Sequence, residues 1–181
     1  DQLTSIGQSF QSNAQLDWNA MYYANTTSAY TGRSVYVLYE DRIDDNLLNA
    51  NSILHSSLSD NITLNAGVNF RKLRSHNHQN LLDLMGGQYF LDVDTFFTGD
   101  GAQSDLNNPN RQVGENETYG YNYLLHALTF DGFTQFKFTY DKADFYLAQS
   151  FSRTEYQREG LYKNGIYANN SFGKGESITF E

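Results

Sequence analysis

Ile62-Thr63-Leu64-Asn65-Ala66-Gly67-Val68-Asn69-Phe70-Arg71 alternates without a break. Ile62, Leu64, Ala66, Val68 and Phe70 fall on one side, and Thr63, Asn65, Gly67, Asn69 and Arg71 on the other. Successive side chains of an extended chain point to opposite faces, so this period of two predicts a strand with one apolar and one polar face. Upstream, Leu48, Ala50, Ser52, Leu54, Ser56 and Leu58 alternate with Asn49, Asn51, Ile53, His55 and Ser57. Ser59-Asp60-Asn61 joins the two runs, which predicts a tight hairpin. A second hairpin is predicted from residues 134–140, with Phe136, Phe138 and Tyr140 opposed to Gln135, Lys137 and Thr139. It continues through 145–151, with Phe145, Leu147 and Phe151 opposed to Tyr146, Ala148, Ser150 and Ser152, after a turn at Asp141-Lys142-Ala143-Asp144. An earlier strand is expected over about residues 29–42, ending at Asp44-Asp45-Asn46.

Composition agrees with an all-β chain. Among 181 residues there are 14 Tyr, 13 Phe, 14 Gly, 19 Asn and a single Pro. Tyr and Phe favour pleated surfaces, while Asn and Gly supply turns, so helices should be few. The absence of cysteine excludes thiol catalysis, disulfides and sulfur-ligated metal. A net charge of −9 argues against a groove that tracks nucleic-acid phosphates, so no nucleic-acid partner is expected. The longest apolar run, Val35-Tyr36-Val37-Leu38-Tyr39, is far short of the roughly 20 residues of a spanning helix. A transmembrane β-barrel remains open, because its strands need only about 9–11 residues with every second one apolar.

Loop lengths choose between architectures. The connections at 59–61 and 141–144 are short, whereas a segment running from about 73 to 118 separates the two hairpins. In a compact soluble domain such a length counts against the strand assignment. In an outer-membrane barrel, short periplasmic turns and long extracellular loops alternate. The expected fold is therefore an antiparallel transmembrane β-barrel portion of about six strands, with residues 73–118 and the segment after Arg153 as long extracellular loops. A soluble β-sandwich binding module, for carbohydrate, fits the same alternation and is the alternative. With no initiating Met or leader at Asp1-Gln2-Leu3-Thr4, and a pattern that stops midway at Ser177-Ile178-Thr179-Phe180-Glu181, the chain is expected to be a piece of a longer protein.

Three further segments resemble a known family. They are Leu81-Leu82-Asp83-Leu84-Met85-Gly86-Gly87-Gln88-Tyr89-Phe90-Leu91-Asp92-Val93-Asp94-Thr95-Phe96, then Ser104-Asp105-Leu106-Asn107-Asn108-Pro109-Asn110-Arg111, then Tyr119-Gly120-Tyr121-Asn122-Tyr123. With Arg158-Glu159-Gly160, Asn164-Gly165 and Ser171-Phe172-Gly173-Lys174-Gly175-Glu176, their order and spacing resemble the barrel of TonB-dependent receptors of the Bacteroidetes type. Those receptors often carry an N-terminal carboxypeptidase-like regulatory domain. The resemblance implies part of a 22-stranded, plug-filled barrel in the outer membrane of a Gram-negative bacterium. It implies import of a bulky nutrient with energy delivered through TonB and no chemistry performed. Outer-membrane lipid, the nutrient, a plug domain and TonB outside this chain, and a surface lipoprotein are the implied partners. Where the family commonly has Trp after Tyr123, this chain has Asp131-Gly132-Phe133, read as one interface aromatic in place of another.

Candidate residues follow. Tyr89, Asp92, Asp94, Phe96 and Arg111 are expected to contact the nutrient, because an aromatic, polar loop suits ligand capture. Phe90 and Phe97 belong to the same aromatic run, whose ordinary role is packing the loop upon itself. Asn65, Asn69, Arg71, Gln135 and Lys137 are expected to face the lumen and keep it wet. Asp92, Asp94, Asp100 and Asp105 are oxygen donors of the kind calcium takes, but their spacing is not that of a helix–loop–helix calcium site, and acidic loops are ordinarily just solvated. No resident cofactor is expected, and a carboxylate pair for glycoside hydrolysis needs a separation that sequence does not supply. His76-Asn77-His78 sets two imidazoles on one strand face, and no third ligand accompanies them in sequence, so they read as solvated histidines. Gly86-Gly87 reads as a turn.

Overall fold

The computed structural model describes residues 16–27 and 32–180. A ten-residue helix α1 (Trp18–Thr27) comes first, with the Asp17 carboxylate accepting the Ala20 N–H at 3.0 Å as its cap. The strands are β1 (Arg33–Ser34), β2 (Leu38–Ser59), β3 (Ile62–Asp83), β4 (Tyr89–Leu91), β5 (Gln112–Val113), β6 (Thr118–Tyr140), β7 (Ala143–Gly160) and β8 (Gly173–Phe180). Five of them form one antiparallel sheet in the order β2-β3-β6-β7-β8. The sheet is open, with β2 and β8 at its edges, and no closed barrel forms among the described residues.

Both hairpins lie where the alternation placed them. Their turns sit side by side at one end, where Ile62 pairs with Phe138 and the Asn61 amide donates to the Thr139 carbonyl at 2.6 Å. The strands are longer than expected. Asp44-Asp45-Asn46 does not end a strand: these residues lie mid-β2, opposite His76, Ser75 and Arg74 of β3, whose backbone holds them extended. Of the expected 29–42 strand, residues 29–31 lie outside the described residues, and the long strand begins at Leu38. Likewise β3 continues to Asp83 and β7 to Gly160, so the long connections are 84–117 and 161–172 rather than 73–118 and everything after Arg153. At about 3.3 Å per residue, a 22-residue strand runs roughly 70 Å.

The apolar face is a band, not a full-length stripe. Ile62, Leu64, Ala66, Val68 and Phe70 share it with Phe136 and Phe138 of β6 and with Phe145, Leu147 and Phe151 of β7. The rings of Phe138 and Phe145 stack at 4.5 Å. Beyond Phe70 the same face of β3 carries Lys72, Arg74, His76 and His78. Neither face of the band is covered: β2 is exposed along nearly its whole length, and Val68 is 50% exposed.

The small core lies at the far end. Leu81, Leu84, Val113 and Tyr119 are buried together, with Val37 and Phe90 packed against them. The 84–117 connection builds a cap from the short sheet β1-β4-β5 and a 3-10 turn at Gly99–Ala102. Asn25 of α1 ties the helix to this cap. Its Nδ2 donates to the carbonyls of Tyr36, Leu84 and Met85 at 2.7–3.1 Å, and its Oδ1 accepts the N–H groups of Val35 and Tyr36. The 161–172 segment closes on the cap: the Leu106 N–H donates to the Lys163 carbonyl at 2.7 Å and the Gly165 N–H to that of Gln103 at 2.9 Å. Gly165 sits so close to the Asp100 carbonyl that a Cβ would collide with it.

Candidate functional site

Two surfaces carry the predicted residues: the polar face of the sheet and the cap above it. On the sheet, Asn65, Asn69, Arg71, Gln135 and Lys137 all fall on the face opposite the apolar band. Their register makes cross-strand pairs. His55 Nδ1 lies 2.6 Å from Asn65 Oδ1, and the Asn65 amide donates to Gln135 Oε1 at 3.2 Å. The Asn69 amide donates to Asp131 Oδ2 at 3.0 Å, while the Ser152 hydroxyl donates to Oδ1 at 2.7 Å. Lys137 Nζ stands 6.0 Å from the centroid of the Tyr146 ring. His55, Asp131 and Ser152 complete this network; alternation put His55 and Ser152 on the polar sides of their strands, and the register shows which residues they pair with.

Phe133 belongs to the same polar face. It pairs with Gly67 mid-strand, and its ring occupies the space a Cβ there would need. An aromatic ring laid over a cross-strand glycine shields the bare backbone.

In the cap, Arg111 is an internal strut. One of its Nη2 contacts is to Asp92 Oδ2 at 3.0 Å, another is to the Thr118 carbonyl, and its guanidinium lies 5.0 Å from the centroid of the Tyr162 ring. The Asp92 side chain is only 3% exposed, and its second oxygen accepts the Gly120 N–H at 2.9 Å. The Tyr162 hydroxyl donates to the same Thr118 carbonyl at 2.9 Å. Burial pushes the Tyr162 and Tyr119 phenols above their ordinary range.

The other expected ligand contacts scatter. Phe90 packs edge-on to Tyr119 at 5.3 Å and Tyr89 is half-buried in β4, whereas Phe96, 94% exposed, and Phe97 stand in solvent. Asp94 is exposed and accepts the Phe96 N–H at 2.9 Å. Asp105 is buried, its oxygens taken by the Asn107 and Lys163 N–H groups and the Asn108 amide. A pocket of about 260 Å³ brings Asp92 and Asp94 together with Phe90, Gln103, Tyr119 and Asn164. Its lining offers hydrogen bonds and an aromatic wall for a small polar group. Tyr89, Phe96 and Arg111 do not line it.

Among the described residues, no three carboxylates of the cap come close enough together to hold one metal ion. Among the described residues, the grouping of three possible metal ligands is Asp44, His76 and His78, on the sheet rather than in the loop. The candidate third donor absent from the sequence around His76 thus lies on the neighbouring strand.

No protein-family model matches the chain, and no curated protein or solved structure shows significant similarity to it.

Proposed function

We propose that the chain forms part of the wall and extracellular rim of a TonB-energised outer-membrane receptor that imports a bulky nutrient. The observation that carries this reading is the two-faced band over residues 62–70, apolar on one side and hydrogen-bonded polar on the other, with neither side covered. Nine residues span about 26 Å along the strand, or roughly 20 Å of height at a barrel tilt of about 40°. That approaches the apolar belt of about 25 Å seen on outer-membrane barrels.

Strand connectivity supports the same reading. The two short turns lie at one end of the sheet and the two long, folded connections at the other, as periplasmic turns and extracellular loops do. The likeness of residues 81–176 to TonB-dependent receptors supplies the role. In this role the chain performs no chemistry. The pocket at Asp92 and Asp94 and the exposed rings of Phe96 and Phe97 face the nutrient together with a plug domain, and the polar network lines the lumen.

Fractionation of the full-length parent tests the proposal. Recovery in the outer membrane, with detergent needed for solution, is the expected result. A parent that is soluble and monomeric without detergent overturns it and leaves a secreted β-sandwich binding module as the better reading.

A further inference from the structure

The face that is apolar in the band turns polar above it, and there two strands bring three metal-binding side chains to one spot. Register sets Asp44 of β2 directly opposite His76 of β3, and the i, i+2 spacing puts His78 on the same face. The imidazole rings lie 4.1 Å apart, inclined by 21°. One donor atom from each of the three residues lies within 4.8 Å of the others. We propose that Asp44, His76 and His78 form a site for a divalent transition-metal ion that clamps the edge strand β2 to β3.

Donor chemistry sets the class of metal. Two imidazoles and one carboxylate suit zinc, copper or nickel, whereas calcium and magnesium take oxygen ligands. Metal–donor distances of about 2.0–2.2 Å require donors roughly 3–3.5 Å apart, so modest side-chain rotations close the site while the backbone stays in register. Two features point to a ligand. His78 is 6% exposed, and its Nδ1 is buried with no hydrogen-bond partner. Asn122 of β6 holds His76 Nε2 at 2.7 Å through its carbonyl oxygen. That contact places the proton on Nε2 and leaves Nδ1 with its lone pair, the arrangement by which an outer partner orients a metal-bound histidine.

One contact competes. Arg42, opposite His78, reaches both Asp44 oxygens, Oδ2 at 3.1 Å and Oδ1 at 3.2 Å, and Glu40 at 3.5 Å. Both partners are substantially exposed, and exposed pairs contribute little, so a metal ion can take Asp44 while Arg42 keeps Glu40. The Arg42 charge nevertheless opposes a cation, which gives the site a distinctive signature: removing it tightens binding.

Titration of the chelator-stripped, full-length parent with Zn²⁺ alone tests the proposal, with calorimetry giving stoichiometry. His76→Ala and His78→Gln are each expected to lose one equivalent relative to the parent. Asp44→Asn is expected to weaken that equivalent roughly tenfold or more, and Arg42→Ala to strengthen it. Co²⁺ in place of zinc reports the same site through visible bands that vanish in the histidine variants. The proposal is overturned if the histidine variants, shown to be folded by an unchanged circular-dichroism spectrum, bind as many equivalents as the parent. It is equally overturned if Asp44→Asn and Arg42→Ala leave the affinity unchanged. The measurement reads metal binding in detergent or in water, so its outcome is independent of the membrane assignment.

Discussion

Val68 and Asn69 are adjacent in sequence and opposite in environment, which makes them the sharpest test of the wall. Val68 lies on the apolar face, half exposed, two residues from Ala66 at the band centre. Two residues along a tilted strand amount to about 5 Å of height, so an arginine there sits close to the midplane. Lipid-facing arginine at that depth costs about 2–4 kcal/mol, falling toward zero at the interface, and about 2–3 kcal/mol is the fitting figure for Val68→Arg. This corresponds to a 30- to 150-fold loss in the folding equilibrium at about 1.4 kcal/mol per decade. Asn69→Arg sacrifices one hydrogen bond to Asp131 but sets a cation beside that carboxylate in a wet surface, so it should cost far less than Val68→Arg. The assay is urea titration of the full-length parent refolded into vesicles, read by the mobility of the unboiled protein. Equal costs at 68 and 69, or a greater cost at 69, refute the two-faced wall, and refolding that needs no lipid or detergent refutes its membrane setting.

Further tests address the joints of the structure. Gly67→Ala forces the Phe133 ring off its seat and should cost about 1–3 kcal/mol, most of it relieved in the Gly67→Ala, Phe133→Ala double variant, by the same urea titration. Arg111→Met strands the buried Asp92 carboxylate with the Gly120 N–H alone; because Arg111 itself stays partly open to water, the cost should be about 2 kcal/mol rather than that of a fully buried pair. Faster amide exchange confined to residues 84–117 and 161–172 is its signature, and unchanged exchange there contradicts the strut. Burial disfavours the phenolate and so raises the pH at which Tyr119 and Tyr162, both beyond the apolar band, ionise in the folded state. Their contribution to stability is therefore complete below the unfolded value of about pH 10 and is lost as pH rises through the folded values. An alkaline titration should show Tyr119 and Tyr162 ionising only together with opening of the cap; their ionisation near pH 10 with the cap still closed would contradict the burial.

How much of this could be read in advance depends on whether sequence distance or strand register carries the information. The band at 62–70 was legible because polar and apolar residues alternate strictly there, and its turns because Ser59-Asp60-Asn61 and Asp141-Lys142 carry turn chemistry. The strand continuation past Arg71 was not. Lys72, Arg74, His76 and His78 on one face oppose Leu73, Ser75, Asn77 and Gln79 on the other, so neither face is apolar and the period disappears. For the same reason Asp44-Asp45-Asn46 reads as a turn, although pairing with β3 holds it straight. Helix α1 left a faint trace in Asp17 as its cap, outweighed by the Asn- and Tyr-rich composition around it. The pairing of Asp92 with Arg111 and the meeting of Asp44 with His76 join residues far apart in the chain. Composition cannot announce such pairs; only the folded register makes them neighbours.

The sheet poses a problem that its own residues do not solve. The chain exposes 12844 Å², whereas a compact monomer of 20.7 kDa exposes about 8,900 Å². Edges of β2 and β8 face outward, and β2 runs for 22 residues, a long template for pairing with other strands that soluble proteins normally shorten, charge or cover. Charges do appear on β2, at Glu40, Asp41, Arg42, Asp44 and Asp45, but all lie in the half above the band. From residue 46 to 59 β2 carries none. An uncharged edge is tolerable where a further strand completes it, and an uncovered apolar face is tolerable where lipid covers it. The proposed receptor wall would meet both conditions at the same height of the same strands. A soluble sandwich, in contrast, needs a second sheet over the band, and it also needs some other device to protect the uncharged edge.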